Sequence, residues 1–448
     1  MTRSALFSFV VFVMTAMTSC SDYRDAIPGN SIALISFDVQ GISDMGSGSS
    51  PNVFNNILGM DDISSSGIDF NERIYLFEEK DGSLGLVASV DDAGKMEAWF
   101  NGQAGKGKCT KVSEKKGYRF TVLNGSFVAG FSNNALVIMG PEVESARSRL
   151  QAKIIRNLGA DSDKSIVKTK IYEKLSSMES PINVVVKGKA LPEKFVSVFS
   201  FGVLSKASPD DILIAASATV EDNCLNIVGE TFSFDETIDR SIKSSLASYH
   251  PISGDYLDCV SMDNVMTILS GVNGEHYLNL LRNNYSFRTM LVGLNMALDI
   301  DMMLKSIDGD ICMSIPAFKD GNIDFMLLAN TSDTKWLDDV SYWKKTTPSG
   351  SRIENVGPRD FHYSNMDWKM YFGINAKDQL YLSTTAPDAL PAPASGLPED
   401  IKAEIRGKRA CAILSLKSLT AQRPETKVVT DMFTSVFGNI DMVIYSMK

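Results

Sequence analysis

The same pattern is written twice in this chain, and that restricts it to folds that can be built from two similar halves. The stretch GIDFNERIYLFEEKDGSLGLVASVDDAGKMEAWF begins at Gly67, and SIDGDICMSIPAFKDGNIDFMLLANTSDTKWLDDV begins at Ser306. Each runs Ile-Asp, apolar strand, Lys-Asp-Gly turn, apolar strand, then an acidic cap before a Trp-bearing amphipathic helix. Downstream, GSFVAGFSNNALVIMG from Gly125 matches WKMYFGINAKDQLYLST from Trp368, with Gly130 and Gly373 in the same place. INVVVKGKAL from Ile182 matches CAILSLKSL from Cys411. Upstream, PGNSIALISFDVQGI from Pro28 is paired with SGDYLDCVSMDNVMTI from Ser253, each read as a strand running into an acid, Asp38 or Asp263, and then a helix. The repeats are placed at residues 31–245 and 246–448.

Within each repeat the periodicity is that of hairpins and helices. GYRFTVLNGSFVAGFSNNALVIMG alternates apolar and polar residues, and Asn124-Gly125 is the pair that a type I′ hairpin turn demands. DDILIAASATVEDNCLNIVGETFSF predicts a second hairpin turning at Glu221, Asp222 and Asn223. PEVESARSRLQAKIIRNL reads as a helix with Pro141 at its first position, and VMTILSGVNGEHYLNLLRNN and TMLVGLNMALDIDMMLKSI read as Met- and Leu-rich helices. Antiparallel hairpins packed against helices make the fold class α+β. GSGSSPN (46–52), TPSG (347–350) and the Pro-rich APDALPAPASGLPED (386–400) read as loops. In the second repeat the strand at 439–447 ends the chain without its hairpin partner. It is therefore expected at a sheet edge, with one neighbour at most, where it could accept a strand from a partner.

The first residues bear on location. Arg3 is followed by a short apolar run from Leu6 to Met14, too brief for the ~20 residues of a bilayer span. It reads as a removable secretory signal, residues 1–19. The segment MTSC, Met17 to Cys20, resembles the lipobox of bacterial lipoproteins, with Met17 in place of the usual Leu. That resemblance implies that the Cys20 thiol receives a diacylglycerol, that cleavage precedes it, and that the new amine is acylated, as by palmitate. More than one acyl chain gives stable anchoring, since each buried methylene contributes about 0.8 kcal/mol. The polar residues 20–30 read as a tether.

Composition excludes some classes. With 448 residues, two domains are the prior. A net charge of −10 argues against a nucleic-acid partner, which needs a basic footprint. Cys109, Cys224, Cys259, Cys312 and Cys411 lack metal-ligand spacing. Cys224, Cys259, Cys312 and Cys411 sit in or beside apolar runs, as small buried hydrophobes do, although one disulfide is open to an exported chain.

No motif assigns an activity. GQAGKGKCT from Gly102 nearly spells a phosphate loop, but Cys109 stands where Ser or Thr should hold Mg²⁺, and a helix precedes it where a strand should. Asp299, Asp301, Asp308 and Asp310 are split by a helical segment and read as caps and turns. His250, His276 and His362 have no zinc or protease spacing. Trp99 and Trp336 match between the repeats and read as core. Trp343, Trp368 and Tyr371 occur in the second repeat alone and are assigned to packing ahead of a surface site.

The lipobox, the DYRDAIPGNSIALISFDV start and the IYLFEEKDGSLGLVASVDDAGKMEAWF block together resemble a family of Bacteroidota lipoproteins catalogued as domain of unknown function 4836. The resemblance implies an exported, lipid-anchored α+β protein and lends no catalytic residues. The expected role is a non-enzymatic binding, structural or interaction protein of the cell envelope, most simply at the outer membrane. It would be held by Cys20 and need no cofactor or metal, with a protein or small-molecule partner between the halves or at the C-terminal edge strand. The competing class is an envelope hydrolase of glycans or peptides, which would need convergent carboxylates in a cleft.

Overall fold

The computed structural model describes residues 22–44, 60, 62–191, 207–283, 298–319, 322–366, 369–386, 396–427 and 439–448. The chain folds as two compact units, one comprising Met1–Val39 and Leu58–Ser177, the other Gln40–Ile57 and Met178–Lys448. The architecture is α+β, as the hairpin and helix patterns predict. The loops at 46–52 and much of 386–400, the segment 289–297 and Trp368 lie outside the described residues.

In the first unit the strands are β1 (Ser31–Phe37), β2 (Ile74–Glu79), β3 (Leu84–Ser89), β4 (Ser113–Lys115), β5 (Tyr118–Leu123), β6 (Phe127–Phe131) and β7 (Ala135–Met139). They form one antiparallel sheet in the order β1-β2-β3-β7-β6-β5-β4. Asn124 and Gly125 both take positive φ, 49° and 72°, as the β5–β6 turn requires. Helices α1 (Ala93–Gly105), α2 (Arg147–Leu158) and α3 (Lys170–Ser176) complete the unit. Asp92 caps α1 by accepting from the Gly94 and Lys95 N–H groups. Helix α2 buries Leu150, Ile154 and Asn157 and packs on β6 and β7. Gly130 permits that approach, because a Cβ there would lie 2.5 Å from Ile154 Cγ2. Pro141 is not the first residue of α2: a 3₁₀ turn over Glu144–Ala146 intervenes.

The second unit contains β8 (Ile182–Lys187), β9 (Leu213–Glu221), β10 (Cys224–Phe232), α4 (Glu236–Ser245), β11 (Tyr249–His250), β12 (Met266–Asn273), α5 (Gly274–Asn283), α6 (Ile300–Lys305), β13 (Ile307–Lys319) and β14 (Asn322–Thr331). It continues through α7 (Trp336–Thr346), β15 (Arg352–Asn355), β16 (Asp360–Ser364), β17 (Lys369–Ile374), β18 (Leu380–Ser383), α8 (Glu399–Ile405), β19 (Ala410–Ser415), α9 (Leu416–Gln422) and β20 (Met442–Met447). From β12 the sheet runs β12-β13-β14-β18-β17-β16-β15, all antiparallel. This is the same order, strand for strand, as β1 to β4 in the first unit. On the other side of β12 lie β19, β20, β10, β9 and β8. The packing division therefore falls at Ser177/Met178, while the sequence pattern repeats from 246; β8, β9, β10 and α4 pack in the second unit.

Two sequence readings need correction. VMTILSGVN is strand β12 rather than helix, with helix starting at Gly274. Strand β12 is covered on both faces, so its residues form a near-continuous apolar run that hides the period of two. Consequently Tyr256 to Cys259, read as strand, forms a turn ahead of β12, and Leu257–Cys259 is a 3₁₀ helix. One face of the sheet packs Trp336, Trp343, Phe361 and Phe372, and the other Leu257, Leu269, Cys312, Cys411 and Ile444. Trp336 and Trp343 stack with centroids 6.1 Å apart. Trp99 is half-buried, its indole N–H donating to the Asp62 carbonyl at 3.0 Å. Cys224, Cys312 and Cys411 are buried free thiols, whereas Cys259 is exposed on its turn.

The C-terminal edge does not exist. Strand β20 pairs with β19 antiparallel, from Ala410↔Met447 to Ser415↔Met442. On its other side it pairs with β10 in parallel, from Cys224↔Met442 to Gly229↔Met447. The missing hairpin strand is replaced by β10, so no open strand remains there for a partner to augment. Gly229 lets Tyr445 lie across it, as a Cβ would meet the Tyr445 hydroxyl at 2.8 Å. Native-state hydrogen exchange at Val443, Ile444 and Tyr445 is expected to be as slow as at Ala215 to Val220. Exchange more than about tenfold faster there would mean that the β10–β20 pairing is not formed.

Candidate functional site

The first unit contains a cleft of about 1070 Å³ lined by residues 25–30, the β2–β3 turn, α2 and the segment 159–169. Its floor is the stretch expected to be a tether. Residues 22–30 are instead built into the fold. Tyr23 is buried, donates its hydroxyl to the Arg73 carbonyl at 2.8 Å, and packs against Tyr75, which packs in turn on Tyr172. Ile27 is fully buried and its carbonyl accepts from Ile166 N–H at 2.9 Å. Gly29 N–H donates to the Lys164 carbonyl at 3.0 Å, and a Cβ at Gly29 would stand 2.9 Å from that oxygen. Asp22 accepts from Arg24 N–H and caps the turn Tyr23–Ala26.

The wall opposite is organised by Lys153. Its ammonium donates to Glu79 Oε1 at 3.2 Å, Asp81 Oδ2 at 2.8 Å and Ser83 Oγ at 2.9 Å. Glu79 is buried, and Arg156 Nη2 lies 3.9 Å from its other oxygen. Such a carboxylate is tolerated in a poorly solvated place because a cation and its hydrogen bond replace the lost water. The Lys153 hydrogen bond, helped by Ser83, holds the Asp81 carboxyl down at about 2. Burial pushes the Asp25 carboxyl up from its ordinary value.

Sequence reasoning missed this cluster, yet its signals are visible. Glu79 takes an inward position at the end of β2, and Lys153 lies beside the buried stripe Leu150–Ile154–Asn157 of α2. A second missed signal is the likeness of Asp22-Tyr23-Arg24-Asp25 to Asp255-Tyr256-Leu257-Asp258. In the second unit Tyr256 donates to Asn330 Oδ1 at 2.6 Å. There the helix lysine, Lys402, closes onto Asp258 at 2.6 Å and Glu399 at 2.8 Å. In the first unit the helix lysine is committed to strand β2, and Asp25 is left facing the cleft.

The residues singled out in the sequence are dispersed. Asp299 caps α6, accepting from Met302 N–H at 3.0 Å, and Asp301 pairs with Arg282. Asp308 faces His250 Nε2 at 3.3 Å. Asp310, almost fully buried, accepts from the Ser253 N–H and hydroxyl and from the Gly254 and Asp255 N–H groups at 2.7–3.0 Å. His362 stacks on Tyr371 at 4.6 Å, and His276 lies on α5. Gly102 and Gly105 are inside α1, so no helix start faces that near-phosphate loop. Cys20 lies outside the described residues. A shallower hollow of about 510 Å³ sits beside Arg352, Met366 and Lys369.

Replacing Lys153 by Ala should strand Glu79 and destabilise the fold by roughly 3–5 kcal/mol, and adding Glu79→Gln should restore most of it. A loss below about 1 kcal/mol by urea denaturation would show that the pair is solvated. Asp81 titrates below its ordinary 3.8, so its contribution is fully present above about pH 4 and lost as pH falls towards about 2. The Lys153→Ala chain should lack that acid limb.

Among solved structures the chain is similar to TP0453. Crystal form IV of that protein matches with 12% identity over 46% of this chain and 78% of that one, at a TM-score of 0.30. Form III matches with 8% identity over 82% and 94%, at 0.25. These likenesses are too low to carry an argument about fold or role. No curated protein matches the sequence. A family model described as a domain of unknown function, DUF4836, matches residues 49–446, and the chain belongs to that family.

Proposed function

We propose that the protein is a lipid-anchored envelope protein, built by duplication, that binds a ligand in the cleft of its first unit without transforming it. The observation that carries the binding reading is the cleft itself, where Lys153 holds Glu79 and Asp81 in fixed ion pairs. Two carboxylates locked on one ammonium are a rigid wall, poorly suited to moving protons. Asp81, held near 2, is a weak base, and Glu79 is sealed from solvent. The hydrolase reading draws on the opposite displacement of Asp25 and Asp81, a pattern that can mark an acid and a base. Its displaced base, Asp81, is tied to Lys153 at 2.8 Å.

The lipid anchor rests on Arg3, the apolar run and the MTSC segment ending at Cys20. Among the described residues no helix is long and apolar enough to cross a membrane. The common strand order around β1 and β12 supports the duplication. The outer membrane is the proposed location.

Mass spectrometry of the native protein tests the anchor. The expected species begins at Cys20 and carries diacylglycerol and an amide-linked acyl chain, and Cys20→Ala should accumulate as uncut precursor. Cleavage at another site without acyl mass would overturn it.

A further inference from the structure

The cleft begins almost where the lipid would end. Only Ser21 stands in sequence between Cys20 and Asp22, the first of the described residues. Two Cα–Cα steps reach at most about 7.6 Å. The Asp22 carbonyl in turn accepts from the N–H of Asp25, a lining residue, at 2.9 Å. An acylated Cys20 would therefore keep the Asp25 side of the cleft near the headgroup layer.

The charges that line the cleft are of the opposite sign to the rest of the molecule. Bases outnumber acids in the lining by five to four, in a chain of net charge −10. Lys153 is spent on the carboxylates of the β2 end. Beyond it the lining has exposed Lys80, Arg156, Lys164 and Lys168 against exposed Asp163 and half-buried Asp25, with Arg156 also 3.9 Å from Glu79. Positive side chains at an anionic surface attract it, and long flexible lysines can follow phosphates in a fluid layer. A soluble cation would meet net repulsion here.

We infer that the first-unit cleft engages the phosphate of an anionic lipid headgroup in the membrane to which Cys20 anchors the chain. This rests on the lipid-anchor reading, because the anchor supplies the proximity. The basic rim then sets the unit's orientation on the bilayer, with the cleft facing the headgroups.

The experiment uses the mature chain, residues 20–448, carrying Cys20→Ser so that no acyl chain contributes. Binding is read by co-sedimentation with vesicles of phosphatidylglycerol or of phosphatidylcholine at about 0.1 M salt. At least tenfold preference for phosphatidylglycerol is expected. Each basic residue near an anionic surface contributes roughly fivefold, so Lys164→Glu with Lys168→Glu should lower binding tenfold or more. Reversing Lys345 and Lys377 in the second unit should leave it unchanged. Equal binding to both lipids, or equal loss from both pairs of reversals, would overturn the inference. So would binding of inorganic phosphate to a chain that ignores both vesicles, which would assign the cleft to a soluble ligand. Failure of the anchor itself would appear separately, in the mass of the native protein.

Discussion

Backbone pairing at β20 is the constraint on which the second unit depends. A strand in the middle of a sheet must satisfy the N–H and C=O groups on both its edges. The last residues of the chain do so with β19 on one side and β10 on the other. The β10 contact joins residues more than two hundred positions apart, and it is parallel, the pairing that no hairpin can make. Such contacts are entropically late, because the intervening chain must be ordered before they contribute. Strand β20 is thus the link that joins the β8-β9-β10 strands to β19 and the rest of the second unit's sheet. Buried Ile444 and Met442 bind that link to the cluster of Leu269, Cys411 and Tyr256.

The two units put one strand order to different electrostatic ends. Each has an Asp-Tyr-x-Asp turn ahead of its first strand in the order, and each has a lysine from the helix that follows the β7 or β18 strand. In the second unit Lys402 reaches Asp258, and the turn is tied to the helix. In the first unit Lys153 reaches the β2 end, and the turn is held by other means: Tyr23 on Arg73, Ile27 on Ile166 and Gly29 on Lys164. Fixing the turn by backbone and aromatic contacts frees its acid, Asp25, to face solvent space. The open cleft follows from that exchange of partners.

Much of this fold is legible in the sequence, and the illegible parts have physical causes. Asn124-Gly125 and the mixed polar and apolar positions of β5 reveal the first unit's β5–β6 hairpin, although β7 is buried along its whole length. In β12 both faces are covered, so alternation vanishes and the strand merges into the helix at Gly274. Tyr23 to Ile27 is polar enough to pass for a tether, since its burial rests on two apolar anchors and on backbone bonds invisible in composition. Repeat logic places β20 at an edge because it seeks partners within residues 246–448, whereas β10 lies at 224–232. In the cleft, only the inward position of Glu79 and the placement of Lys153 beside an apolar helix stripe hint at the ion pair. Which carboxylate a lysine chooses depends on a distance that spacing does not encode.

On the proposed anchor, the packing of residues 22–30 bears on how the first unit would be oriented. A flexible tether of ten residues would let a body sample many orientations over about 15–20 Å. With Tyr23 and Ile27 packed into the core, an acylated Cys20 would stand two positions in sequence before the folded Asp22. An orientation fixed by so short a link has to be tolerated by the surface it rests on. An acidic body pressed against an anionic bilayer would be repelled unless its contact face were basic. On the proposed anchor, the lysines that flank the cleft would supply that face, where the acids of the rest of the chain would otherwise work against it.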